Sequence, residues 1–351
     1  MIEIKNIDLD EAKLLLDEKI IIVGDSHFGR FPTIEQQALF LTLILIPLLD
    51  MDTVVIFTGD QFDGGKAMET ILMCDVLDIF LDISAKCKHV YFLVGNHDTW
   101  KLKDIHYNNS KIFVPFNNFS LIERGMCEIF GVKIDFISFN VDKQFLLDYV
   151  KDSKSDIAIT HCDYKNLTLE TGRKIDFGID IESMSNYKIV FNGHIHKRQL
   201  FNNLINVGAP YQMKFSDRES EKGLHIYIPK SNETFFVENT ISRKYFEYQN
   251  EDFLKLEDKG FLNDANLNIL DADSEEEIII VLGDNKPYWL DINLKNGSIV
   301  TISEASFVYS EDVAENIVEY LEDVKQIKLS DKTIEIDKTK IEALTKLAKT
   351  L

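Results

Sequence analysis

Eight side chains carry the chemistry this chain is equipped to do: Asp25, His27, Asp60, Asn96, His97, His161, His194 and His196. All are oxygen or imidazole donors, and all follow short apolar runs. Asp25 and His27 lie two apart, as do His194 and His196. At an extended strand end each pair points to one side and can hold one ion. The Asp60 carboxylate can bridge two ions, and Asn96 offers a neutral carbonyl oxygen. A donor set of imidazole, carboxylate and amide oxygen without thiolate favours Mn²⁺ or Fe²⁺, with Zn²⁺ within range. Two such ions about 3.5–4 Å apart serve in-line displacement at phosphorus. His97, beside a ligand but turned from it on an extended backbone, is the candidate to stabilise the phosphorane or protonate the leaving alkoxide. Such a role is worth roughly 10²–10⁴ in rate.

A lone histidine after a strand is usually structural, so the number matters. Five of the eight histidines fall in these motifs, whereas His89, His106 and His225 have no motif context and read as bystanders. Asp63 and Asp98 are candidate carboxylates behind the ligands, with turn-capping as the equal alternative. Cys162 follows His161, and alternation turns it away as a buried, inert thiol.

The elements that must position these groups are five apolar runs: residues 20–23, 54–57, 90–94, 157–159 and 189–191. Short β-branched or aromatic runs bounded by glycine read as buried strands. In an open α/β sheet, ligands gather beyond the carboxyl ends of the strands. Up to residue 239 such runs alternate with helical segments, as in an α/β layered domain. Residues 205–210 and 223–228 read as its closing strands, and residues 1–19 as a helical lead-in before the first strand. The segment 67–87 is helical and apolar on more than one face. It belongs in the core, in a homodimer contact, or in both. Beyond residue 239 a small β-rich module is expected to about residue 305, with strands at 278–282, 288–292 and 298–302. Residues 306–351 carry two helical patterns, one behind Ser310 and one behind Asp337.

The 351 residues allow one large domain with an appendage, or two domains. A net charge of -21 keeps the chain soluble and opposes unaided binding to nucleic acid. Arg30, Lys66, Lys101, Lys103, Lys165, Lys197, Arg198 and Lys214 nevertheless follow the site motifs, and clustered they could attract phosphate. The four cysteines have no disulfide or zinc-ribbon spacing. The start lacks a signal-peptide pattern, and the most apolar stretch, residues 38–49, is shorter than the roughly 20 residues of a bilayer span. The expectation is a cytoplasmic protein.

Asp25-x-His27, Gly59-Asp60, Gly95-Asn96-His97-Asp98, His161 and Gly193-His194-Ile195-His196, in this order, resemble the calcineurin-like metallophosphoesterase superfamily over residues 20–230. The resemblance implies an α/β fold, a four-layer αββα sandwich. It implies a first ion on Asp25, His27, Asp60 and His196, a second on Asp60, Asn96, His161 and His194, and catalysis by His97. Within the superfamily the chain is most similar to DNA repair nuclease subunits of the SbcD type, the meiotic recombination nuclease and the tailed-phage recombination endonuclease subunit. Residues 207–210 and Lys222-Gly223-Leu224 carry that likeness, with the small module and the final helical pair behind them. Phe62-Asp63 stands where several such nucleases have Phe-His.

The organisation expected is therefore a nuclease domain at 1–239, a cap module at 240–305 and a helical partner-binding tail at 306–351. The function implied is metal-dependent DNA phosphodiester cleavage in repair or recombination. DNA would be the substrate, an SbcC-type ATPase the partner, and helix 67–87 a homodimer contact. A phosphatase or nucleotide phosphodiesterase of the same superfamily is the alternative, and a non-catalytic scaffold a distant third. Ser/Thr protein phosphatases carry arginine where this chain has Gly64 and Thr99, which disfavours that branch.

Overall fold

The computed structural model describes residues 2–29, 34–63, 70–101, 104–139, 142–263, 265–283, 285–303, 326–329 and 332–335. The chain divides into two compact units, Met1–Arg243 and Lys244–Leu351.

The first unit contains two large sheets, besides a two-stranded pairing of Thr99–Lys101 with Asp104–Asn108. In chain order its principal strands are β1 (Ile4–Ile7), β2 (Lys19–Val23), β3 (Thr53–Phe57), β4 (His89–Leu93), β5 (Phe119–Ile122), β6 (Arg124–Ile129), β7 (Val132–Ile137), β8 (Ile157–Thr160), β9 (Ile189–Asn192), β10 (Gln199–Phe201), β11 (Leu204–Asn206), β12 (Gly223–Ile228) and β13 (Glu233–Glu238). Its α-helices are α1 (Leu9–Lys13), α2 (Ile34–Phe40), α3 (Thr70–Lys86) and α4 (Lys143–Asp152). One sheet runs β1-β13-β12-β2-β3-β4-β5 and the other β10-β11-β9-β8-β7-β6. Strands β2, β3 and β4 are parallel neighbours, as are β8 and β9. The five runs that end in candidate ligands are thus adjacent strands of two sheets.

Alternation builds the layers. Ile20, Ile22, Val54 and Ile56 join Ile134, Phe136, Ile157, Ile159, Ile189 and Phe191 in one core between the sheets. Their neighbours Ile21, Val23, Val55 and Phe57 face the other way, onto Phe40 of α2 and Val76, Phe80 and Ile83 of α3. On the far side, Ala158, Val190 and Leu204 pack with Leu146 and Val150 of α4. Helix, sheet, sheet, helix is the expected four-layer sandwich. Each large side chain in these cores contributes roughly 1.5–3 kcal/mol by leaving water.

Two expectations need correction. Residues 1–19 are not a purely helical lead-in, because β1 pairs in parallel with β13 at the sheet edge. Its Ile-Lys-Asn-Ile pattern is half-buried only at the two isoleucines, which hides it from a search for apolar runs. The short α1 follows behind a capping box of Asp8 and Glu11. Residues 278–282 are not a strand but the end of a helix, α5 (Glu275–Leu282). Ser274 caps its start through the Glu277 amide, and Gly283, at φ 60°, ends it. The segment 67–87 is helical as expected over Thr70–Lys86, and Phe80 is fully buried among Phe57, Phe92 and Phe113.

The second unit carries a four-stranded sheet in the order Tyr245–Gln249, Asn266–Ala272, Trp289–Leu294, Ile299–Ser303. Its own core is Phe253, Leu262, Leu267, Ile269, Ile278, Leu290 and Ile292 with their neighbours. A two-stranded pairing of Gln326–Leu329 with Lys332–Glu335 is also described. The helical patterns at 310–324 and 337–351 lie outside the described residues. No helix among the described residues is long and apolar enough to cross a membrane.

Candidate metal centre

The candidate ligands lie in the irregular segments that follow the strands rather than on the strands themselves. His27, Asp60 and His194 all have positive φ, at 47°, 52° and 76°. This left-handed backbone is rare for such residues and is held by its surroundings. Strand alternation, invoked from the sequence for Asp25 and His27 and for His194 and His196, is therefore not what aims them. His97 likewise sits on a turn instead of an extended segment. The glycines make the turns compact. A Cβ at Gly95 would overlap the Asp60 carboxylate and amide, and one at Gly24 would overlap the Gly208 carbonyl.

Backbone hydrogen bonds lock the loops to one another. The Asp98 carboxylate accepts from the amides of Asp60 at 2.9 Å, Gly95 at 2.8 Å and Phe62 at 3.0 Å. It is a turn cap joining two motifs, the second of the two roles considered for it. Burial raises this carboxyl to about 6, with the charge of Asp60 adding to the rise. Gln37 donates to the carbonyls of Ser26 and His27, and Tyr211 to that of Ser26, which fixes the loop bearing Asp25.

The donors converge. Asp60 Oδ2 lies 3.2 Å from His161 Nε2 and 3.9 Å from His27 Nε2, between imidazoles carried by the two different sheets. Asn96 Oδ1 is 3.1 Å from His161 Nε2. Ligand atoms of Asp60, His161 and His194 fall within 4.8 Å of one another. His27 Nε2 and His196 Nε2 face each other at 3.0 Å. Two nitrogens bound to one ion at about 2.1 Å each would stand roughly that far apart. Asp25 Oδ2 and His194 Nδ1 are buried without hydrogen-bond partners. The residues fit a divalent pair.

The local electrostatics fit as well. Burial alone would lower His161, but Asp60 and Asp25 outweigh it and raise the imidazole to about 9. Burial likewise pushes Asp60 upward, and His161 and His27 reverse this, holding it below the carboxylate range. Burial raises Asp25, moderated by His161. The cavity's carboxylates thus recruit positive charge from an imidazole, and a metal ion would supply it instead.

Groups around the donors hold several of the rings in place. His161 Nδ1 donates to the Thr58 carbonyl at 2.9 Å, and His194 Nε2 meets Asp163 Oδ1 at 3.0 Å. Asp63 Oδ1 lies 2.9 Å from His97 Nδ1 and 3.5 Å from His27 Nδ1. The Asp63 hydrogen bond raises the pKa of His97 against the opposing effect of burial. Sequence reasoning missed Asp163 and Thr58. Asp163 follows His161 by two in irregular chain, and no spacing rule marks a carboxylate there. It also missed Phe139, whose ring centre lies 5.5 Å from that of His194.

The bystanders stay apart from the centre. His89 pairs with Ser120, and His225 accepts from Arg198. Burial pushes the Cys162 thiol up to about 12, in keeping with an inert sulfur.

The model of the calcineurin-like phosphoesterase family matches residues 18–198, the span that carries every one of these donors. The chain belongs to that family. Among curated relatives, this calcineurin-like phosphoesterase is 22% identical to exonuclease subunit 1 of Enterobacteria phage T4 over 233 residues, 63% of this chain and 68% of the relative. Among solved structures, an archaeal phosphodiesterase aligns with TM-score 0.35 and 14% identity, over 63% of this chain and 99% of the other. A protein of unknown function from Aquifex aeolicus aligns with TM-score 0.28 and 11% identity, over 52% of this chain and 82% of the other.

Proposed function

We propose that the protein is the nuclease subunit of a cytoplasmic DNA repair or recombination complex, cleaving phosphodiesters with two bound divalent ions, most favourably Mn²⁺. Asp25, His27, Asp60 and His196 would hold one ion, and Asp60, Asn96, His161 and His194 the other. The observation that carries this reading is the placement of Asp60 Oδ2 between His27 Nε2 and His161 Nε2. When bound, the ions supply Lewis acidity at the phosphoryl oxygen and activation of water.

The chain's own residues supply the rest. His97 Nδ1 is engaged by Asp63, so Nε2 is the nitrogen left to give a proton to the departing alkoxide. Its side chain is 45% exposed, which leaves it open to substrate, whereas Asp25, His27, Asp60 and His161 are buried. Asp98 keeps the Asp60 and Asn96 turns in register throughout.

DNA as substrate rests on the phage exonuclease-subunit relative, as does the expectation of a partner subunit. An SbcC-type ATPase docked on the tail, and a homodimer formed along the exposed side of α3, complete the proposal. On α3, Cys74 and Leu81 are exposed while Phe80 is not, so any dimer contact uses that outer face. The test is incubation with Mn²⁺ and end-labelled DNA, beside a small aryl phosphodiester and a phosphomonoester. Cleavage of DNA and the diester with little action on the monoester is expected. Preference for the monoester would assign the protein to the phosphatases instead.

A further inference from the structure

Beside His196 lies a buried group of charges that the proposed reaction does not use. Lys222 directly precedes Gly223 at the start of β12, and its side chain is 1% exposed. Asp217 ends a short 3-10 turn, Phe215–Asp217, and its side chain is 0% exposed. Glu170 comes from the loop after β8 and is 7% exposed. An ammonium is rarely taken out of water without partners to offset the loss of hydration. Here Lys222 Nζ donates to the His196 carbonyl at 2.7 Å and lies 3.5 Å from Asp217 Oδ1. Asp217 Oδ2 accepts from the Met213 amide at 2.8 Å, and Lys214 Nζ lies 3.8 Å from Glu170 Oε2.

A ring nitrogen of His196 and one oxygen each of Glu170 and Asp217 fall within 4.8 Å of one another. With Nε2 turned to His27, Nδ1 is the nitrogen left for those carboxylates. His196 Nδ1, Asp217 Oδ1 and Glu170 Oε1 are all buried without a hydrogen-bond partner. Two other ligand histidines follow one rule: His161 is held through Thr58 and His194 through Asp163, each by one ring nitrogen while the other is left for an ion. A carboxylate on the far nitrogen fixes the tautomer and the ring plane, and strengthens the near nitrogen as a ligand.

We propose that Lys222, Asp217 and Glu170 form a positioning cluster for His196. Lys222 fixes the backbone of that residue and the carboxylates fix its ring, so the cluster sets the affinity of the ion shared by His27 and His196. The inference rests on His196 being a metal ligand. It assigns the internal cation of the cluster to a lysine, so that no third ion binds between Glu170 and Asp217. The second ion, on Asp60, Asn96, His161 and His194, takes no ligand that the cluster positions.

The test uses the full chain, with Mn²⁺ binding followed by calorimetry and by electron paramagnetic resonance. Glu170→Gln sits at the edge of the cluster. Lys222→Met combined with Asp217→Asn removes one charge of each sign and leaves no unpaired ion behind. Wild type should bind two ions and show an exchange-coupled pair at two equivalents. Both variants should keep one ion at wild-type affinity and lose affinity for the other by roughly 10–100-fold. Their spectra at two equivalents should be those of isolated Mn²⁺, with the coupled signal restored by excess metal. The metal concentration for half-maximal activity should rise while kcat at saturating Mn²⁺ stays near that of wild type. Glu170→Gln with unaltered circular dichroism and wild-type affinity at both sites would overturn the proposal, as would three ions bound by wild type. Failure of wild type to bind Mn²⁺ at all would instead overturn the metal reading beneath it.

Discussion

His97 and Asp63 form a hydrogen-bonded pair, and in the proposed reaction His97 would meet the substrate while Asp63 aims it. His97→Ala should therefore lower turnover roughly 10²–10⁴-fold while both ions still bind. Asp63→Asn, which keeps the shape but not the charge opposite Nδ1, should cost less. It should also shift the His97 titration in the pH–rate profile downward, because Asp63 raises the His97 pKa. Loss of metal in His97→Ala, measured by calorimetry, would contradict this division of roles. A second residue-scale prediction concerns His225. Burial, helped by Arg198, lowers its pKa to about 3. In the unfolded chain it titrates near 6.5, so below that pH the unfolded state binds a proton that the native state refuses. Stability should fall as the pH drops from about 6.5 towards 3, by up to about 1.4 kcal/mol per pH unit from this group. Denaturant melts of His225→Gln should show that component gone. The candidate donors were legible in the sequence because they follow five apolar strands. The carboxylates around them were not. Asp163 reaches His194, and Glu170 and Asp217 come near His196, only through folding, and nothing in their local spacing marks them.

At the scale of elements, the glycine turns carry the geometry. Gly95→Ala should disturb Asp60 directly, since the added methyl group overlaps its carboxylate and amide. A loss of roughly 1–3 kcal/mol in stability is expected, with a larger loss in metal affinity, read by thermal melts with and without Mn²⁺. An unchanged melt and unchanged affinity would show that the turn can relax. The runs leading to β2, β3, β4, β8 and β9 were legible because these strands are buried on both faces or nearly so, and each reads as continuous Val, Ile and Phe. β1 was not, because an edge strand with two polar residues in four gives no such signal. Residues 278–282 were misread for the opposite reason. A short apolar run is ambiguous between strand and helix, and the caps at Ser274 and Gly283 decide it. Helix α3 also shows why amphipathic width does not name a contact: Phe80 fills the fold's own core. Phe80→Glu would therefore test folding, not association.

For the whole molecule, the tension is between the proposed action on DNA and a net charge of -21. Affinity for a polyanion comes largely from neutralising its phosphates, so the isolated chain should hold DNA weakly and lose it steeply with salt. A partner subunit with its own DNA affinity would resolve this. Removal of residues 306–351 should leave hydrolysis of a small phosphodiester intact while abolishing co-purification with an SbcC-type ATPase. Retained complex formation would exclude the tail as the docking element. The division into Met1–Arg243 and Lys244–Leu351 depends on pairings that composition does not reveal. The central claim, that two ions bridged by Asp60 hydrolyse a phosphodiester, is tested most directly by aryl phosphodiester turnover. Wild type and Asp60→Asn would be compared across a Mn²⁺ titration with a chelator control. Wild type should be active in Mn²⁺, silent in chelator and poor in Mg²⁺ alone, and Asp60→Asn should be inactive at every metal concentration. Turnover that survives the chelator, or an active Asp60→Asn, would contradict the account.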